Sequence, residues 1–150
     1  MNEDEKFMLV AIKEAKKAKK NDEVPIGAVV VKDGKIISKC YNRRNKNKIA
    51  THHAEILAIE KACKILGDWR LSDCTIYVTL EPCPMCAGAI MNSRIKKVVF
   101  GAKDNSSQMH VFDQIMSDTK RLNHKVEVVG GVLEVECSHI ISSFFQQKRL

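Results

Sequence analysis

Apolar residues recur along this chain with two different periods, and the switches between them predict its elements. From about Glu5 to Lys20, Met8, Ile12, Ala15 and Lys19 fall on one side at helical spacing, with Ala11 and Ala18 beside them. Lys13, Lys16, Lys17 and Lys20 fall opposite, so the segment reads as an amphipathic helix with a solvated lysine face. Ile26 to Val31 is a short run rich in branched residues, Lys32-Asp33-Gly34-Lys35 supplies an Asp-Gly turn, and Ile36 to Tyr41 resumes an extended pattern. That combination predicts a β-hairpin. A polar, basic loop over Asn42–Ala50 follows. Thr51 is a candidate cap for a helix beginning near His53, with Ile56, Ile59, Cys63 and Leu66 as its inner face and Gly67 as terminator. Thr75–Leu80 reads as a strand, and Pro84 suits the first turn of another helix, where its missing N–H costs nothing. Ile95–Gly101 and Lys125–Val129 are further strands on either side of a weakly patterned segment. Glu134–Lys148 closes the chain as a helix.

Helices recurring between the later strands require crossover connections, whereas the hairpin is antiparallel. The pattern therefore predicts a mixed sheet covered on both faces, an α/β three-layer α-β-α sandwich. No repeat, linker or low-complexity segment divides residues 1–150, so one domain is expected. Apolar residues make up 45% of the chain, which excludes a disordered protein. No apolar stretch is long enough to span a bilayer, and the acidic start Met1-Asn2-Glu3-Asp4-Glu5 does not resemble an export signal. A cytoplasmic protein without a membrane partner is the expectation. In a reducing compartment, Cys40, Cys63, Cys74 and Cys137, scattered singly among apolar neighbours, read as small core residues. The net charge of +7 is uneven: residues 1–50 hold 13 basic and 7 acidic groups and so carry most of it. Such asymmetry suits a polyanionic partner such as RNA, as it also suits a solvated face.

The chemistry concentrates in two short motifs. His53-Ala54-Glu55 offers an imidazole with a carboxylate two residues on, and Pro82-Cys83-Pro84-Met85-Cys86 offers two thiols at the start of a helix. A helix N-terminus favours negative charge and presents such sulfurs as thiolates. One nitrogen and two sulfurs suit tetrahedral zinc, and three protein ligands leave the fourth position to water. Glu55 then stands as the general acid and base for that water, which fits hydrolytic removal of an amine from a ring carbon. A Cys-x-x-Cys redox pair and a structural zinc site are the competing readings. The latter needs a fourth ligand from His52, His110, His124 or His139. His53 is preferred to His52 because it alone has the His-x-Glu spacing.

These motifs make the chain resemble the zinc-dependent nucleobase deaminases, whose signature and general mechanism they reproduce. It is similar in particular to the bacterial tRNA-specific adenosine deaminases. The similarity is carried by Glu23-Val24-Pro25-Ile26-Gly27-Ala28-Val29, Asn42-Arg43, the run from Tyr77 to Ala89 around the cysteines, and Ser93-Arg94-Ile95. Val99-Phe100-Gly101-Ala102, Asn123-His124, Gly131-Val132-Leu133 and Phe144-Phe145 extend it over nearly the whole chain. The resemblance implies a five-stranded cytidine-deaminase-like fold, a homodimer, and one zinc ion per subunit held by His53, Cys83 and Cys86. It implies Glu55 as proton shuttle and a tRNA anticodon stem-loop as partner, its wobble adenosine flipped into the pocket. Asn42 would hydrogen-bond the base, with Ile26 and His53 packing against it.

Arg43, Arg44, Lys46 and Lys48 lie between Asn42 and His53 and are candidates for RNA phosphate contact, as are Lys148 and Arg149 after the Phe pair. Two stretches depart from the family pattern. Ile49-Ala50-Thr51-His52 replaces a proline-containing approach to the ligand histidine. Residues 105–112, Asn-Ser-Ser-Gln-Met-His-Val-Phe, replace a glycine-rich loop that helps receive RNA. The second departure leaves the zinc chemistry intact and bears on the substrate. Deamination of a free purine or another nucleobase stays open as an alternative, as does a non-catalytic zinc-containing RNA-binding protein.

Overall fold

The computed structural model describes residues 1–105, 110–120 and 122–148. The elements run α1 (Glu3–Lys20), β1 (Gly27–Lys32), β2 (Lys35–Tyr41), α2 (Arg44–Asn47), α3 (Ala54–Leu66), β3 (Cys74–Leu80), α4 (Pro84–Asn92), β4 (Lys97–Ala102), α5 (Val111–Ser117), β5 (Glu127–Val129) and α6 (Glu134–Lys148). The five strands form one sheet in the order β2-β1-β3-β4-β5. β1 is antiparallel to both β2 and β3, whereas β3, β4 and β5 run parallel. This is the mixed sheet expected from the sequence.

Strand alternation feeds two separate cores. Ala28, Val30, Ile76, Val78, Val98 and Phe100 face α3, α4 and α5, while Val29, Val31, Tyr77 and Val99 face α1 and α6. Both faces are covered, so the strands read as continuous apolar runs rather than alternating ones. α1 begins in a capping box between Asn2 and Glu5, and acidic residues in its first turn with lysines in its last match the helix dipole. It ends with Asp22 in the left-handed region, the Asp22 N–H donating to Lys19 O and the Glu23 N–H to Ala18 O. This Schellman closure sends the chain directly toward β1.

α3 departs from the sequence reading in two respects. His53, not Thr51, is its N-cap residue; its backbone is extended, and its N–H donates to Thr51 O at 2.8 Å in a tight turn. The inner face is the stripe Ala54, Ala58 and Ala62 together with Ile59, whereas Ile56, Cys63 and Leu66 are only half-buried. The cause is the close approach of helix to sheet. Ser38 of β2 reaches across to donate its hydroxyl to Ala58 O at 2.7 Å, a distance that only methyl-sized side chains on that face allow. Cys74 and Cys137 are buried as expected, while Cys40 and Cys63 are half-buried. Burial pushes all four thiols up, Cys137 to about 12, so they stay protonated and behave as small apolar groups. Among the described residues no helix is long and apolar enough to cross a membrane.

Candidate active site

Two helices from the same face of the sheet begin at one point. His53 is the N-cap of α3 and Cys83 the N-cap of α4, with Pro84 at the first helical position and Cys86 one turn further in. Neither N-cap side chain bonds back to its own helix, so both are free to turn toward each other. Cys83 Sγ and Cys86 Sγ each lie 3.6 Å from His53 Nδ1, and the three donor atoms fall within 4.8 Å of one another. Zinc bonds of about 2.3 Å to sulfur and about 2.0 Å to nitrogen, at a tetrahedral angle, separate neighbouring donors by about 3.6 Å. The cluster therefore fits zinc, with His53 offering Nδ1.

The protonation chemistry points the same way. Hydrogen bonding from Cys86, with a second contribution from His53, lowers the Cys83 thiol to about 4. The same Cys83–Cys86 contact, reinforced by burial, pushes Cys86 up. His53 is raised, chiefly by its hydrogen bond with Cys83. The two sulfurs thus oppose each other's ionisation, and a cation bound between them would favour the thiolate form of both.

Glu55, two residues after His53, is 3% exposed. Burial raises it to about 7, and Oε1 is the buried side-chain atom among the described residues without a hydrogen-bond partner. An orphaned carboxylate oxygen is costly unless a ligand or solvent group completes it. The Glu55 side chain pairs with the Cys86 thiol, so this carboxylate lies beside the metal cluster.

The residues expected to receive the base lie on the adjoining segments. Asn42 is 6% exposed and directly follows β2. Its Nδ2 donates to Val24 O at 3.2 Å and its Oδ1 accepts the Arg44 N–H at 3.1 Å. One amide hydrogen and one oxygen lone pair remain, so a turn-forming role and base recognition are compatible in this residue. Ile26 is half-buried against the α3-side core, and its carbonyl accepts the Asn42 N–H. The basic loop contains α2 where the sequence reading expected none. Arg44, Lys46 and Lys48 are exposed; Arg43 is half-buried with its guanidinium 4.5 Å from the Tyr41 ring. Lys48 takes a left-handed conformation that closes α2.

Lys148 is paired with Asp22 and lies 5.6 Å from the Phe144 ring centroid, and Arg149 lies outside the described residues. So do residues 106–109, the centre of the atypical loop. Of the other histidines, His124 is tied through Nε2 to Ile95 O at 2.8 Å, and His52 Nδ1 pairs with Asn47 Nδ2 at 2.8 Å. The metal cluster contains His53 and neither of these.

The sequence marks Glu23 only as part of a stretch that carries the family resemblance and assigns it no role. Glu23 is 1% exposed, and its two carboxylate oxygens accept the N–H groups of Asn45 at 3.0 Å and Lys46 at 2.7 Å. Its partners are backbone groups, which leave no mark in a sequence.

Comparison with known proteins agrees with this geometry. A family model described as MafB19-like deaminase matches residues 1–149. A tRNA-specific adenosine deaminase of Bacillus subtilis (strain 168) is 52% identical over 149 residues, covering 99% of this chain and 92% of the relative. One from Aquifex aeolicus is 46% identical over 147 residues, covering 97% and 95%. A structure from work on A-to-I editing by deaminases at the wobble position of transfer RNA superimposes with a TM-score of 0.80. It is 42% identical and covers 89% of this chain and 97% of its own. A guanine deaminase from Nitrosomonas europaea, 22% identical with a TM-score of 0.79 over 91% of this chain and 81% of that one, shares the fold. With its full-length match and a His-Cys-Cys cluster beside a buried carboxylate, the chain belongs to the deaminase family, and its near relatives there are the tRNA-specific adenosine deaminases.

Proposed function

We propose that this chain, as a single deaminase domain, converts adenosine to inosine at the wobble position of a tRNA anticodon stem-loop. In this reading it acts as a cytoplasmic homodimer with one zinc ion per subunit. The observation that carries the chemistry is Glu55 Oε1, buried and unpartnered beside three metal donors. A structural zinc site has no use for such a group. His53, Cys83 and Cys86 would hold the ion, which when bound would acidify water toward neutrality. Glu55 accepts one proton from water and delivers it to the ring nitrogen. It then accepts the second proton from the same oxygen and delivers it to the departing amine. Water supplies the new ring oxygen and ammonia leaves, so atoms and charge balance. Burial raises the Glu55 carboxyl above the ordinary glutamate range, which suits a group that must both take up and release protons.

Asn42 hydrogen-bonds the flipped adenine through the amide hydrogen and lone pair that the fold leaves unused, and Ile26 packs against the ring. Arg43, Arg44, Lys46 and Lys48 neutralise backbone phosphates, with Lys148 of the last helix and Arg149, next in sequence, contributing. The test incubates the zinc-loaded chain with an anticodon stem-loop bearing wobble adenosine and, separately, with free adenine, guanine and cytosine. Inosine formed in the RNA alone is the expected result. Conversion of a free base alone overturns the substrate assignment, and no product from a zinc-loaded chain overturns the enzymatic reading.

A further inference from the structure

Glu23 sits where α1 hands the chain to β1, and its backbone is fixed by the N–H bond to Ala18 O at 3.0 Å. Its side chain turns inward and receives the second and third amides of α2, those of Asn45 and Lys46, one on each carboxylate oxygen. Two other groups of the same short segment hold the same loop: Val24 O accepts the Asn42 side chain, and Ile26 O accepts the Asn42 N–H at 3.1 Å. A second connection leads on to the metal, because the Arg43 N–H donates to His52 O at 3.2 Å, next to His53. The loop backbone is therefore clasped against the protein, and Arg44, Lys46 and Lys48 are left pointing to solvent.

We infer that Glu23 is a positioning residue that holds the basic loop, and Asn42 at its start, in the shape that receives RNA. This rests on the functional reading above. The geometry requires a carboxylate of this length. Glutamine offers one acceptor and one NH2 group, so one of the two backbone N–H donors would face another donor. Aspartate is one methylene shorter, and the fixed Glu23 backbone cannot advance to make up the difference. The Glu23 bonds involve neither the metal donors nor Glu55, and the loop reaches His53 only indirectly through the Arg43 N–H to His52 O. Loss of Glu23 should therefore alter RNA binding far more than the proton transfers.

The experiment compares zinc-loaded wild type, Glu23→Gln and Glu23→Asp. Single-turnover and steady-state kinetics on the anticodon stem-loop are measured alongside zinc content and amide hydrogen exchange without RNA. Expected are a KM raised about tenfold, a kcat within about twofold of wild type, and unchanged zinc. Exchange at Asn45 and Lys46 should quicken by about tenfold or more while the amides of β3 and β4 stay as they were. A fall in kcat at constant KM, tracking the zinc-loaded fraction, would mean a merely structural role and would overturn the inference. So would a wild-type KM in both variants. A wild type that fails to deaminate the RNA overturns the functional reading itself, whereas an active wild type beside unaffected variants removes only Glu23.

Discussion

Cys83 and His53 stand 30 positions apart, each as the N-cap residue of a helix, and their side chains meet with Sγ 3.6 Å from Nδ1. Two helix N-termini thus point at one place. Their dipoles favour anionic sulfur there, which makes the pair a good partner for a dication and a poor one for a neutral thiol. Replacing Cys83 or Cys86 by alanine should reduce bound zinc from near-stoichiometric to a small fraction, as read by metal analysis of the purified chain. Cys40→Ala, away from the cluster, should leave the zinc unchanged. Chelation of the wild type should lower its Tm, because metal affinity is folding free energy at such a site.

Glu55 makes a prediction with a definite sign. In the folded chain burial keeps its proton up to about pH 7, whereas an unfolded glutamate releases it near 4.5. Between those values the folded state binds more protons, so stability falls as the pH rises. In chelator-treated protein, Glu55→Gln should match wild type below about pH 4.5. It should be more stable at pH 8, by on the order of 3 kcal/mol at most. Equal stability at both pH values, measured by denaturant titration, would contradict the shift. In the zinc-loaded enzyme the same variant should keep its metal and lose about 10²–10⁴-fold in turnover.

The exposed loop cations should register in salt dependence. If Arg44 and Lys46 each neutralise a phosphate, alanine at either position should reduce the slope of log affinity against log salt. The expected reduction is about 0.7 per contact for single-stranded RNA. Lys13→Ala on the solvated face of α1 should leave the slope alone. Binding of the anticodon stem-loop at a series of salt concentrations separates the two groups.

Gly27 is the point at which α1 rests on the sheet. A Cβ there would fall on Ala11 O and come within 2.7 Å of Ala15 N and 2.9 Å of Glu14 Cβ. Backbone atoms cannot rotate aside, so Gly27→Ala must lift the helix. The expected cost is about 3 kcal/mol, the upper end for overpacking, seen as a lower denaturant midpoint. A neutral outcome would mean that α1 is free to move.

What the sequence made legible follows from how each element is held. The strands of β1 and β3 are read from their branched residues, because burial on both faces demands apolar side chains throughout. The sequence places α3 correctly and its inner face in part: Ile59 is in the core, and Cys63 and Leu66 pack at its margin. Ile56, Cys63 and Leu66 carry the conspicuous periodicity, but the sheet is met by alanines, whose small size matters more than their hydrophobicity. Residue type and spacing suggested the metal donors, yet spacing alone could not say that His53 and Cys83 would meet. That required the sheet to bring two helix starts to one end. The role of Glu23 stayed invisible for the opposite reason, since its bonds go to peptide groups that every residue has.

The alanine stripe on α3 has a consequence for how the pocket can change. His53 and Glu55 ride at the near end of a helix whose height above the sheet is set by three methyl groups and by Ser38 reaching Ala58 O. The position of both groups is thus governed from the side of the helix facing away from solvent. A larger residue at Ala58 would raise the imidazole and the carboxylate together, as a unit, without touching a single group that contacts substrate. Divergence toward bulkier or slimmer rings therefore has a lever outside the pocket wall, at the cost of the packing that keeps both helices aimed at one ion.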